Sequence, residues 1–484
     1  MNSNPPKKRT SYNKSKQTSK TSKTSKTSKT SKTSKTSKTS KTSKTSKTSK
    51  TSEYYSAASN ASNASNASNA SNASKYYTPA SRSRTSSSNH SDVYDSLSKE
   101  SKNIIDKISK KPKIKKSLKL FITDEAIQKI QKFFKKYTVD EKYSLDNRVK
   151  YYNYLLNYIK DIKKSECIKK SNDTSFKYTI GNKLFLIKKI GTESVCGAIY
   201  LTVLKNVLGG NLLTSKIMPN TKDNLREINI MKKITENILC KKRSKHFLMM
   251  YKRFICPHIS GRDILKMISN PLSYNGDNNI SSDKKLVSIN ELAHGDLKML
   301  TENRKVVSND ELMYNIFIQT FLSITTFHNL TGYYHNDAHY GNFLYQINKE
   351  KGYYHYTYNN TSYYLKACEY NIIIYDYGYA TKSYKKYNKK ALLDYIKIIK
   401  AFMNESDGWG YFPDLPSDLF NETMLFIRDA LMMEYDSGFK DENIQNLIIE
   451  KLLLYVMENF YPNLNIFTKN KPDKIINKKP FIIG

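Results

Sequence analysis

The stretch Tyr333–Tyr345, YYHNDAHYGNFLY, sets two histidines, an aspartate, a glycine and two asparagines among aromatic residues. Polar groups this dense beside an apolar run suit a metal site, a buried polar network or a phosphoryl-transfer loop. His335 and His339 stand four apart, as in a helical zinc pair, but Asn336 occupies the place where a zinc hydrolase needs a glutamate base, and no third ligand is identifiable. Asp337 and Asn342 offer another chemistry. The carboxylate can accept a hydrogen bond from an attacking hydroxyl, and the amide offers a neutral oxygen to a cation.

Working outward, Asn371–Ala380, NIIIYDYGYA, is a very apolar strand that ends at Asp376-Tyr377-Gly378, where a carboxylate emerges beside a glycine that permits a sharp turn. Upstream, Lys216 in LLTSKIM interrupts a strand that is apolar at Leu212, Leu213 and Ile217. An inward lysine needs an anion, because an unpaired buried charge is expensive. Phosphate oxygens could serve, as could Glu227 on the following helix; by themselves the two also fit a snorkelling lysine and an exposed helix glutamate. GTESVCGAIY, 191–200, places a glycine near each end of a strand–turn–strand, where backbone N–H groups can approach phosphate oxygens. INELAHGDLKML, 289–300, leaves a strand and opens a helix. Glu291 to Ala293 would be a backbone hinge facing a purine edge, and Asp296 a helix N-terminal carboxylate.

The chain has 484 residues, 38% of them hydrophobic, and a formal net charge of +38. Residues 1–52 hold 15 Lys and one Arg with no acidic residue, so +16 lies there and +22 in the remainder. Eleven Lys-Thr-Ser repeats (20–52) and five Ala-Ser-Asn repeats (58–72) contain nothing to bury, so 1–100 is expected to be a disordered, low-complexity basic tail able to meet a polyanion such as nucleic acid. Residues 101–175 are expected as a helical extension, from the apolar spacing of DEAIQKIQKFFKKY and NRVKYYNYLLNYIKDI. Short apolar or β-branched runs then predict antiparallel strands over 176–293, and helices dominate 294–484, with Met313, Phe317, Phe321 and Ile324 on one face of a core helix. Strands first and helices later predict an α+β protein of two lobes with a cleft between them. Five dispersed cysteines without a CxxC pair argue against a disulfide framework or structural zinc. With no apolar leader and no run near 18 apolar residues, a soluble intracellular protein without a membrane span is expected.

Taken in order, Gly191/Gly197, Lys216, Glu227, Glu291, Asp337/Asn342 and Asp376-Tyr377-Gly378 resemble the protein-kinase-like superfamily over about residues 176–460. GYYHNDAHYGNFLY, GYYHY, YYLKACEY and IIIYDYGYA look like the serine/threonine kinases of large DNA viruses. The resemblance implies a bilobal kinase-like fold and an ATP- and Mg2+-dependent phosphotransferase, most simply acting on serine or threonine of a protein substrate. It implies that Asp337 is the catalytic base, assisted by His339, and that Asn342 and Asp376 are the Mg2+ ligands. Ile190, Gly191, Gly197, Ile199, Lys216, Glu227 and Glu291 would line the nucleotide, with Lys216 on its phosphates and paired to Glu227. His335 reads as a brace of the loop, and Asp394 as a second brace from the next helix.

The pattern departs from the family in several places. Glu193 stands where a middle glycine is expected, and Lys216 and Glu227 are only eleven residues apart. His339 replaces the lysine of serine/threonine kinases, similar to the antibiotic- and choline-phosphorylating branch; a protonated imidazole there would donate strongly to phosphate and make transfer pH-sensitive. Asn342 to Asp376 spans 34 residues, which GYYHYTYNNTSYYL is expected to fill as an extra hairpin. After Asp376 no Ala-Pro-Glu follows, so the segment that would support a peptide is short. A small-molecule or lipid kinase, an inactive kinase-fold scaffold or virion protein, and a nucleic-acid binder working through its tail are the alternatives.

Overall fold

The computed structural model describes residues 129–130, 143–163, 167–171, 178–194, 197–205, 212–256, 284–383, 388–403, 410, 412, 416–439 and 443–484. The repeat tail, the helix expected at 124–137 apart from Lys129 and Ile130, and residues 384–387 of the basic stretch after Asp376 lie outside them.

Seven strands, β1 (Ile168–Lys170), β2 (Tyr178–Ile180), β3 (Leu184–Ser194), β4 (Gly197–Leu204), β5 (Leu213–Pro219), β6 (Met250–Cys256) and β7 (Lys285–Glu291), form one antiparallel sheet in the order β1-β2-β3-β4-β5-β7-β6. β1 lies within the span expected to be a helical extension, so the sheet begins earlier than the apolar pattern suggested. The extension itself supplies α1 (Leu145–Ile159), capped by Ser144, whose hydroxyl accepts from Asn147 N–H. Between β5 and β6 runs α2 (Lys222–Ile234), capped by Thr221 in the same way.

Cys167, just before β1, is disulfide-bonded to Cys256 at the end of β6, with Cα atoms 5.5 Å apart. This corrects the expectation of no disulfide. A count of scattered cysteines cannot see that the two outer strands of one sheet curl toward each other. Cys240 and Cys368 are free.

Beyond the sheet lies α3 (Asp310–Thr331), capped by Asn309 and buried without interruption from Met313 to His328. Its interior position exceeds the one-sided stripe read from sequence, and it is the axis of the helical part. It stops at Gly332, whose φ of +71° suits a residue without a Cβ. α4 (Asn388–Ile399) and α5 (Asp418–Asp436) pack around it. No helix among the described residues is long and apolar enough to cross a membrane.

The remaining strands carry the site and an insertion. They are β8 (Gly295–Asp296), β9 (Tyr333–Tyr334), β10 (Phe343–Ile347), β11 (Tyr353–Tyr358), β12 (Thr361–Lys366), β13 (Tyr370–Ile374), β14 (Thr381–Lys382), β15 (Phe467–Thr468) and β16 (Phe481–Ile482). β10 pairs with β13 over five residues, from Phe343↔Ile374 to Ile347↔Tyr370, and with β8 on its other side. β11 and β12 are the expected extra hairpin. Unexpectedly, β15 and β16 join it, giving a four-stranded sheet in the order β15-β12-β11-β16.

Two buried cations tie these parts together. Arg148 of α1 donates to both oxygens of Glu291 at 2.9 and 2.8 Å, and to the carbonyls of Lys245 at 2.9 Å and Phe247 at 2.5 Å. A planar guanidinium with this many acceptors explains how a charge stays in the interior. Lys245 is less well served: its Nζ is buried without a hydrogen-bond acceptor and sits 3.4 Å from the centroid of the Tyr354 ring. Burial pushes the Lys245 amine down to about 7, against the upward pull of Glu350 and Cys368, with Arg148 adding to the depression.

Arg148→Ala should destabilise the protein by about 3–5 kcal/mol in urea unfolding, because Glu291 keeps its charge and loses its cation. Lys245 predicts a pH effect. Between pH about 7 and 10.5 the unfolded chain holds the proton that the folded chain has released, so stability rises with pH through that window. Lys245→Met should therefore be more stable than wild type at pH 7. The gap between their melting temperatures should narrow as the pH approaches 10.

Candidate active site

Lys216 points from β5 into the interior, 1% exposed. Its Nζ lies 2.7 Å from Glu227 Oε1 on α2 and 3.5 Å from Asp376 Oδ1. Burial opposes the ammonium, but Asp376 and Glu227 outweigh it and hold the amine well above the ordinary lysine value. Burial pushes Glu227 upward against the pull of Lys216, so the two partners' directions conflict. The 2.7 Å contact favours the ionised pair. The eleven-residue separation is thus enough: β5 ends at Pro219, Thr221 caps α2, and Glu227 falls on the inward face of that helix.

Antiparallel register brings Ile190, Ile199 and Lys216 into one cross-strand row, Ile190 opposite Ile199 and Ile199 opposite Lys216. Residues directly opposite share a face, so two half-buried apolar side chains lie on the lysine's side of the sheet. Gly191 lies in β3 next to this row. Gly197 opens β4 with a φ of +153°, and a Cβ there would come within 2.6 Å of the Ile217 carbonyl. The direction of the Glu193 side chain lies outside the described residues.

The loop after α3 is built from backbone hydrogen bonds. Asp394 of α4, fully buried, accepts from the N–H groups of His335 at 2.7 Å and Asn336 at 2.8 Å, and its Oδ2 lies 2.8 Å from His328 Nε2. Asn336 takes a φ of +63° and donates through Nδ2 to the Tyr379 carbonyl and the Thr381 hydroxyl. His335 is buried, with Nε2 3.0 Å from the Tyr375 carbonyl, and burial depresses its pKa. It therefore acts as a neutral brace.

Asp337 projects from this frame, about a third exposed. Asn342 donates Nδ2 to Asp337 O at 2.8 Å and Oδ2 at 3.1 Å, which turns its amide oxygen away from Asp337. His339 Nδ1 accepts from Gly341 N–H at 3.1 Å, so in the neutral ring the proton sits on Nε2, 3.6 Å from Asp337 Oδ2. Tyr375 N–H donates to Asn342 O at 3.0 Å and carries β13 directly to Asp376.

Asp376 adopts a φ of +58° and keeps 29% side-chain exposure, enough for a ligand to reach it. Burial would raise its carboxyl, but Lys216, His335 and the Gly378 N–H hold it below the ordinary aspartate value. Tyr377 turns inward, stacked on Phe327 at 5.0 Å. Sequence reasoning missed Arg226, which donates to the Gly378 carbonyl at 2.9 Å and so ties α2 to this turn. It also missed Arg148, 143 residues from its partner Glu291. No local pattern could have found either.

Glu291 needs correction as the hinge contact. Its side chain holds Arg148, its N–H bonds to Met249 O at 2.9 Å, and its carbonyl accepts from the Thr214 hydroxyl at 3.2 Å. The residue is committed to the scaffold. Asp296 caps the next short helix, accepting from Met299 N–H at 3.0 Å, as expected.

The structure thus joins Lys216, Glu227, Asp376, Asn342, Asp337 and His339 in one chain of contacts. The fold is kinase-like. No family model and no curated protein matches the sequence. Among solved structures the chain is similar to the kinase domain of PF14_0431, at 11% identity and a TM-score of 0.32, over 56% of this chain and 95% of that one. So distant a likeness adds nothing to the geometry.

Asp394→Asn replaces one acceptor oxygen with an amide that faces a donor. Hydrogen bonds to a charged group are worth about 1.5–3 kcal/mol. Amide exchange at His335 and Asn336, followed by NMR, should accelerate by about tenfold or more.

Proposed function

We propose that the protein is an ATP- and Mg2+-dependent phosphotransferase that moves the γ-phosphoryl group of ATP to a hydroxyl, of serine or threonine in a protein substrate. The observation that carries this is the buried Lys216 ammonium held between Glu227 and Asp376, one hydrogen-bonded step from the Asp337–Asn342 pair.

In this reading Lys216 offers its charge to the phosphates, and Glu227 keeps the amine in place. Ile190 and Ile199 cover the nucleotide from the sheet, and a purine would meet Leu292 and Ala293 rather than Glu291. Asp337 accepts a hydrogen bond from the acceptor hydroxyl. As the new O–P bond forms and the bond to the leaving ADP oxygen breaks, the hydroxyl proton passes to the Asp337 carboxylate. His339 presents Nε2–H beside it as a donor to the transferring phosphoryl oxygens. Positioning and charge neutralisation carry most of such a reaction.

Asn342 and Asp376 would hold Mg2+, which when bound neutralises phosphate charge. The donor set fits: one carboxylate and one amide oxygen are hard ligands, and Mg2+ is commonly held by one or two side chains plus phosphate and water. No cluster of three His, Cys, Asp or Glu able to hold a metal occurs among the described residues, which suits a cation that arrives with a nucleotide.

Transfer from labelled ATP should be screened across proteins, lipids and small alcohols. Asp337→Asn should lower incorporation by about 10²-fold or more with the melting temperature little changed. Lys216→Met should raise the KM for ATP. Equal incorporation by wild type and Asp337→Asn would show an inactive scaffold, and transfer confined to small alcohols would displace the protein substrate.

A further inference from the structure

The outward face of α2 carries charge that phosphoryl transfer leaves unused. Beside it lies a groove of about 670 Å3, lined by five cationic side chains against one carboxylate, Glu236. Glu236 answers Lys232, at 3.6 Å. Arg226 is shared between Asp223, at 3.1 Å, and the Gly378 carbonyl. Arg253 bonds only to the neutral amide of Asn229, which leaves its charge uncancelled. Lys222 and Lys233 project from the helix as exposed ammonium groups. The floor is apolar, with Leu225, Ile230 and the ring of Tyr333.

We propose that this groove docks an acidic segment of a partner protein, in which carboxylates flank one apolar side chain. Rim charge sets orientation and rate of encounter, and the apolar floor supplies the area that a polar contact alone would lack. A nucleic acid would run regularly spaced phosphates along a track. Here the cations ring a single concavity of a few side chains' volume with apolar surface at its base, so the protein segment fits better.

The test uses the full chain and fluorescence anisotropy at about 0.15 M salt. The probe is a labelled peptide of aspartate and glutamate with one central phenylalanine, and a single-stranded oligonucleotide of equal charge is the comparison. Residues 1–52 attract any anion, so the reading is the difference between wild type and groove variants. The double change Lys222→Glu with Lys233→Glu should raise the peptide Kd about tenfold, and Arg253→Ser, an independent second variant, should raise it several-fold. Replacing the peptide's phenylalanine by serine should weaken binding to wild type and not to the double variant. Oligonucleotide affinity should change little between the chains. Equal peptide Kd values for wild type and both variants would overturn the proposal, as would indifference to the phenylalanine. An oligonucleotide that loses affinity in the double variant as strongly as the peptide does would overturn it in favour of nucleic acid. None of these outcomes depends on phosphoryl transfer.

Discussion

A buried ammonium must be answered by negative charge, and the site is organised around that constraint. Lys216 has lost its water, and Glu227 and Asp376 replace it from two other elements. Their demands fix three things together: the height of α2 over the sheet, the inward face of that helix, and the end of β13. Removing either carboxylate would leave charge without compensation, so the pieces that hold them are tied as well, α2 to the turn after Asp376 through Arg226 and the turn to the loop through Tyr375 and His335.

The loop around Asp337 obeys a complementary rule. Its reactive carboxylate stays reachable because the polar groups behind it are satisfied by others. Asp394 takes two backbone N–H groups, Asn336 accepts the left-handed conformation that the path requires, and Asn342 spends its amide donors on Asp337. This division between scaffold and exposed group gives the arrangement its chemical meaning. The dense polar cluster in YYHNDAHYGNFLY is therefore partly an internal network and partly a working face.

What could be read from the chain tracks the range of each interaction. Strand alternation and helical spacing are local, so β3 to β5, α2, α3 and the inserted hairpin were legible, and so was the row that leads from Ile190 to Lys216. Spacing rules also located Asp337, Asn342 and Asp376, whose chemistry depends on short loops. Long-range partners were not legible. Arg148 meets Glu291 across 143 residues, and Cys167 meets Cys256 across 89, and no periodicity encodes either meeting. Glu291 was misassigned for the same reason, since a glutamate at a strand end reveals nothing of the guanidinium that claims it. β1 was absorbed into a helical span because three residues are too few to show alternation.

The four-stranded sheet built on the inserted hairpin has a temporal consequence. β11 and β12 adjoin in the chain, but their outer neighbours are residues 467–468 and 481–482, more than 100 positions later. On a ribosome the hairpin would emerge with both flanks bare and remain so until those residues were made. Nascent chains held before and after that point should therefore differ abruptly in protease resistance around Tyr353–Lys366, giving this half of the molecule a late checkpoint in its biogenesis.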